Sequence, residues 1–313
     1  MADVNASETR NRGRRRGQLL LITGLMLAIT LVFLAVLLNG VIYAENLGTR
    51  GSDIGGHETV RFETAAADAG ERFVVATNRD ADPHADHADL VDRVDAAVAD
   101  WDDQSRQHLV RDGSYSRVSL ADAEDGARIH QSDSGPFESA NDEGNWTVVE
   151  NGDVRNASMR VDDVDGTFRL TVTTAASTWN LTVEDAGDVE VAAELDGADV
   201  AECSVSQPPF EIDFVDGTVD GDRCGGEPMV FAGGLEGPYE TVALVGGDEL
   251  EGAYDLTTND TAPLSSSEFE DPGGDSPIAE SELYSVDLSL THETDRIDYQ
   301  STVTVTPNTH YGR

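Results

Sequence analysis

The arrangement of apolar and polar positions divides this chain into three stretches. The first has no period: from Gln18 to Ala44, QLLLITGLMLAITLVFLAVLLNGVIYA runs 27 residues without a charge. As a helix rising ~1.5 Å per residue it is roughly 40 Å long, enough to cross a ~30 Å hydrocarbon core with some tilt. A cleavable secretory signal has an apolar core of about 7–15 residues, so a retained transmembrane helix is the prediction. The second stretch has a helical period. One helix is expected around residues 57–79 and another around 86–111, with Pro83 marking the break. In the second, Leu90, Val91, Val94, Ala97, Val98 and Trp101 recur every three or four residues and leave acids on the other face.

From about Tyr115 the period becomes two. VRNASMRV, TFRLTVTT, STWNLTVE, VEVAAEL, PYETVALV, ELYSVDLSLTHET and RIDYQSTVTVTP each read as a half-buried strand bounded by Gly, Asp or Asn. The last two are expected to form a terminal hairpin around Asp295. Strands without intervening helices favour an antiparallel sandwich. The predicted class is therefore α+β: a cytoplasmic leader (1–17), a transmembrane helix (18–44), a neck and short extracellular helical region (45–112), and an antiparallel, sandwich-like β-rich ectodomain (113–313).

Charge supplies the orientation and the solvent. Arg10, Arg12, Arg14, Arg15 and Arg16 precede the apolar run and Glu45 follows it, so the positive-inside rule keeps the leader in the cytoplasm and sends the rest outside. The chain has 61 acids against 20 basic residues, a net charge of −41, and every base is Arg. The first 17 residues hold five Arg and two acids, a surplus of +3, which leaves about −44 on the remainder. Self-repulsion of that size destabilises a compact domain in dilute buffer. At about 1 M salt the Debye length is only ~3 Å, and the composition is that of a protein adapted to molar salt. With no basic patch beyond the leader, nucleic-acid binding is excluded as a function class.

Cys203 and Cys224 are the only cysteines. Both fall in the stretch expected outside, where disulfides persist, and closing the loop between them would contribute about 3 kcal/mol in the chain-entropy model. Four Asn-x-Ser/Thr sequons, at Asn145, Asn156, Asn180 and Asn259, fall in the same stretch and are candidate glycosylation sites.

The start of the chain carries a resemblance. Arg14, Arg15 and Arg16, then Gly17 and Gln18-Leu19 at the head of the apolar run, resemble the archaeal class III signal that prepilin peptidase cuts after the Gly. Together with GQLLLITG, NGVIYAENLGTRG and AVADWDDQSRQHL, they resemble a family of uncharacterised haloarchaeal membrane-anchored proteins of pilin-like character. The resemblance implies cleavage between Gly17 and Gln18 by a prepilin peptidase-like enzyme, with the three arginines holding the leader at the anionic inner leaflet. It also implies association with other pilin-like subunits through the apolar helix. Many pilins carry Glu at the fifth mature position, where this chain has Ile22; a minor pilin or pseudopilin fits better than a major one.

Metal and catalytic signals are sparse. Asp216, Asp220 and Glu227 match part of a calcium-loop spacing, but a strand precedes them and Cys224 interrupts them, so no metal is expected. His84 and His87 lie three apart among acids with no third ligand nearby. No Gly-x-Ser-x-Gly elbow, phosphate-binding loop or HExxH zinc helix is present. The expectation is a single-pass cell-membrane protein with an outer C-terminal domain, a structural or assembly role, no enzymatic activity and no cofactor. The alternative is a non-assembling, membrane-anchored binding module of the cell envelope; an ectoenzyme whose acids are spread through the β region is a third class.

Overall fold

The computed structural model describes residues 58–109, 115–232, 234–274, 276–294 and 297–307. The chain divides into two compact units, residues 1–61 and 62–313, and the second holds every strand. The helices are α1, described over residues 58–79, and α2, His87–Leu109. The strands in chain order are β1 Tyr115–Pro136, β2 Trp146–Gly152, β3 Val154–Val164, β4 Thr167–Thr174, β5 Thr178–Asp185, β6 Val189–Leu195 and β7 Ala198–Val205. They continue as β8 Phe210–Asp213, β9 Thr218–Val219, β10 Gly225–Gly226, β11 Tyr239–Val245, β12 Leu250–Thr258, β13 Ile278–Glu293 and β14 Asp298–Val305.

These strands form two seven-stranded antiparallel sheets, ordered β14-β13-β1-β12-β3-β8-β9 and β10-β7-β6-β5-β4-β11-β2. The expected α+β class is therefore corrected to a mainly β fold carrying two helices. Among the described residues no helix is long and apolar enough to cross a membrane; the stretch 18–44 lies outside the described residues. The weight given to helix came from the N-terminal pattern, while several strands were hidden by their own chemistry. In β1 the segment ADAEDGA puts acids and Gly where alternation should show, and in β12 the run LEGAYDLTT buries polar Thr257 and Thr258 beside Leu256.

Where alternation is clean the match is close. TFRLTVTT is β4 and VEVAAEL is β6, each residue for residue, and β5 begins one residue inside STWNLTVE. Their inward residues, Phe168, Leu170, Val172, Trp179, Leu181, Val183, Val191 and Ala193, meet Ala157, Met159, Val161, Ile212 and Leu256 of the first sheet in one core. Edge-on aromatic pairs cross it: Phe137 with Phe168 at 5.6 Å between centroids, and Trp179 with Phe214 at 6.1 Å. The expected terminal hairpin is present as β13–β14, with Glu293 opposite Asp298.

A second core lies where the helices meet the first sheet. Val74 of α1 and Leu90, Val94 and Val98 of α2 pack with Val118, Leu283, Leu288, Leu290 and Val305, each buried aliphatic contributing about 1.5–3 kcal/mol. Asp86 starts α2: its carboxylate accepts the Asp89 N–H at 3.0 Å, satisfying one of the unpaired donors of the first turn. Further along, buried Asp102 accepts the Val118 N–H at 2.8 Å and fastens the helix to β1. Gly70 allows the close approach of α1, since a Cβ there would lie 2.8 Å from Leu288 Cδ1. On β13, β14 pairs only as far as Val286. Beyond it the Asn78 amide takes the place of a strand, donating to Leu283 O at 3.0 Å and accepting from Leu283 N at 3.1 Å.

Leu288 sits at the centre of this second core. Leu288→Ala is expected to lower stability by about 2–5 kcal/mol, read by urea unfolding of the protein in molar KCl. A loss below about 1 kcal/mol would mean that the helices are not packed on β13 as described.

Candidate ligand cleft

One end of the sandwich is closed by the loop between β10 and β11. Its apolar residues turn inward: Met229 and Phe231 are fully buried, and the Phe231 ring lies 5.4 Å from Trp179 and 5.2 Å from Phe214. The Tyr239 hydroxyl donates to Phe231 O at 2.7 Å. The entry to the loop is fixed by the disulfide between Cys203 on β7 and Cys224, with Cα atoms 5.1 Å apart, as the cysteine count implied.

Beside this plug is a cleft of about 350 Å³, at the lower end of the range for small-ligand sites. It is lined by Val230, Ala232 and Leu235 of the loop, Tyr284 of β13, Tyr239 of β11, and Asp153 and Arg155 at the start of β3. Arg155 cannot act as a free cation. Its guanidinium donates to the Tyr284 carbonyl, lies 5.4 Å from the Tyr284 ring centroid and pairs with Glu282 at 3.3 Å, with side-chain exposures of only 4% and 2% for the pair. Glu282 also accepts from the Asn78 amide at 2.9 Å, so the pair connects α1 and β13 to β3.

Asp153 differs. Its backbone N–H donates to Asn259 Oδ1 at 2.6 Å, and one carboxylate oxygen lies so close to Gly237 that a Cβ at 237 would be 1.7 Å from it. Burial, and secondarily the charge of Glu124, push the Asp153 carboxyl above the usual carboxylate range. Burial raises the Tyr284 phenol too, with Asp153 adding to it, so the phenol stays neutral. None of the residues lining the cleft is Ser, Thr, Cys or His. The arrangement is suited to holding a small group that has an apolar body and a hydrogen-bond-donating or cationic head at Asp153.

A second polar cluster lies on the first sheet. Arg128 Nε donates to Asp255 at 2.9 Å, and His130 lies 3.4 Å from Glu280. The neighbouring His130 imidazole holds the Glu280 carboxyl below its ordinary value.

The residues singled out by sequence fall elsewhere. Gly17, Gln18 and Arg14, Arg15 and Arg16 lie outside the described residues. Asp216 lies in the turn between β8 and β9, and the Asp220 carboxylate accepts the Glu211 N–H at 2.9 Å; the Glu227 N–H donates to Val200 O at 2.8 Å. A β-hairpin replaces the helix-loop-helix of a calcium loop, and among the described residues no group of three His, Cys, Asp or Glu is placed to hold a metal. His87 pairs with Asp125 of β1, whereas His84 sits in a shallow depression with Asp82, Asp89 and Arg93. Of the four sequons, Asn156 is corrected: it is 4% exposed within β3, with no space for a glycan. Sequence reasoning missed Asp153, Arg155, Glu282 and Tyr284. The available signal was Arg155 itself, a cation between Val154 and Asn156-Ala157 in a strand.

A family model that begins at the arginines of the leader and ends in β5 matches residues 13–184. The chain belongs to a family of unknown function, DUF7261. The matched segment includes the apolar run, both helices and the first five strands, and it contains Asp153 and Arg155 but not the disulfide loop. No curated protein matches the chain.

Removing either member of the buried pair, as in Arg155→Ala or Glu282→Gln, should cost about 3–5 kcal/mol, and Arg155→Met combined with Glu282→Leu should recover most of it. Urea unfolding in molar KCl reads both, and additive losses in the double variant would refute the coupling. For Asp153 the folded-state pKa is raised, so its contribution favours the fold below the unfolded pKa and is lost as pH rises through the folded value. Asp153→Asn should therefore raise the thermal midpoint at pH 7 relative to the parent and flatten its dependence on pH in the mildly acidic range; a fall at pH 7 would contradict this.

Proposed function

We propose that the protein is a single-pass cell-surface subunit of pilin-like type, a minor pilin or pseudopilin with a structural or assembly role. Its leader is cytoplasmic, residues 18–44 cross the membrane, and the β domain stands outside. The observation that carries this reading is the closed Cys203–Cys224 bridge in the domain that follows an apolar run flanked on its near side by five arginines. Disulfides persist in oxidising surroundings, and the arginines place the opposite end inside; two independent signals thus agree on one topology. The family match supports treating the leader, run and head as one unit, because it extends from residue 13 into β5 without a break. The partners are the membrane, a prepilin peptidase-like enzyme and other pilin-like subunits.

The cleft at Asp153 favours a second reading, a non-assembling anchored binding module, because it supplies a pocket that a purely structural subunit does not need. The N-terminus separates the two. Expression in a halophilic archaeal host and mass spectrometry of the N-terminal peptide from membranes should give a mature start at Gln18, lost when Gly17 is replaced by Leu. A start at Met1 or Ala2 would reject the pilin-like reading in favour of the binding module, and a start at Glu45 would reject the anchor altogether.

A further inference from the structure

On the outer face of the second sheet the acidity of the chain is interrupted. Strand pairing puts Thr147, Ala243, Thr171 and Asn180 in one row across β2, β11, β4 and β5. Thr241, Thr173 and Thr178 form the next row. All seven are partly exposed and none is charged, in a chain where 61 of 313 residues are acids. Charge resumes at the border, with Glu194 directly opposite Asn180 on β6, Glu150 directly opposite Thr241 on β2, and exposed Arg169 two residues along β4 from Thr171. At high salt, carboxylates keep an acidic surface hydrated, and this patch has none.

We propose that Asn180 carries an N-linked glycan that lies over this patch. Its surroundings differ from those of Asn156 and Asn259, while exposed Asn145, just before β2, has its Oδ1 engaged by Gly246 N at 2.9 Å. Asn180 projects from the open face of β5, and Thr182, the third residue of its sequon, lies two positions along on the same face. Thr171 Oγ1 donates to Asn180 Oδ1 at 2.9 Å, which orients the amide and leaves Nδ2, the atom that is modified, with no hydrogen-bond partner among the described residues. Asn156 is buried. Both ends of the Asn259 amide are engaged, Oδ1 accepting from Asp153 N at 2.6 Å and Nδ2 donating to Glu124 at 3.0 Å.

The donor is a lipid-phosphate-linked oligosaccharide on the outer side of the membrane. Asn180 Nδ2 forms a bond to C1 of the first sugar, the C1–O bond to phosphate breaks, the phosphate leaves with the electron pair, and the amide gives up one proton. The attached sugar hydroxyls then supply the bound water that carboxylates supply elsewhere on the surface. This inference rests on the outward topology proposed above.

The test uses the full chain made in a halophilic archaeal host and purified from membranes, with glycopeptide mass spectrometry and external protease treatment of intact cells in parallel. The expected result is a hexose-type mass increment on the peptide containing Asn180, none on those containing Asn156 or Asn259, and a head cleaved by external protease. Asn180→Gln and Thr182→Ala should each remove the increment from that peptide; the second leaves the acceptor Asn in place and so separates loss of the sequon from loss of the residue. A head cleaved from outside with an unmodified Asn180 overturns the proposal, and a dimer in that state would assign the face to contact between copies. A glycan on Asn156 overturns it as well. A head protected in intact cells with no modification overturns the outward topology, and with it this inference.

Discussion

Strand β1 is longer than the sandwich it belongs to, and the rest of the domain is arranged around that excess. Over Tyr115–Leu120 it pairs only with β13, beneath the helices; over Ala127–His130 it pairs with β13 and β12 together, within the sandwich. Register shifts at Leu120/Asp122 and Glu124/Asp125 mark the passage between the two, as bulges do where a strand must change direction. One continuous strand thus serves two hydrophobic cores. The apolar faces of α1 and α2 are covered because β1 and β13 extend far enough to meet them, and without that extension neither helix would have a partner.

Electrostatics take opposite forms inside and outside this frame. Outside, acids are numerous and their repulsion is tolerable only where salt screens it. Inside, charge is rationed to pairs: Arg155 with Glu282, held by Asn78 and the Tyr284 carbonyl, bridges the helical layer and the sandwich where apolar packing is interrupted. A buried pair of this kind is seldom a large net gain over an apolar substitute, but it penalises every arrangement that leaves either charge alone. It fixes the placement of α1 against β3 more than it deepens the energy well.

The legibility of the sequence followed the same division. Val and Thr alternate in β4, β5 and β6 because each strand has one face in the core and one in solvent, and those strands were readable nearly to the residue. β12 was not, because Thr257 and Thr258 are both fully buried, so period two disappears. β1 was obscured because its partner changes along its length, giving ADAEDGA a burial pattern that no single face describes. The disulfide was legible by counting. The cleft was not, since Asp153 between β2 and β3, Arg155 on β3, Leu235 in the β10–β11 loop and Tyr284 on β13 are far apart in sequence and are brought together only by the tertiary fold, and in a chain with 61 acids one more Asp carries no local signal.

The Asn78 amide on the edge of β13 that β14 leaves unpaired has a consequence for life in strong salt. One common way to keep sheet edges from joining is to place charge on them, a defence that molar salt screens. Here one side-chain amide occupies the donor and acceptor of Leu283 directly. It acts as a single-residue stopper, blocking by geometry the template that another chain would need, and its effect does not fade as ionic strength rises.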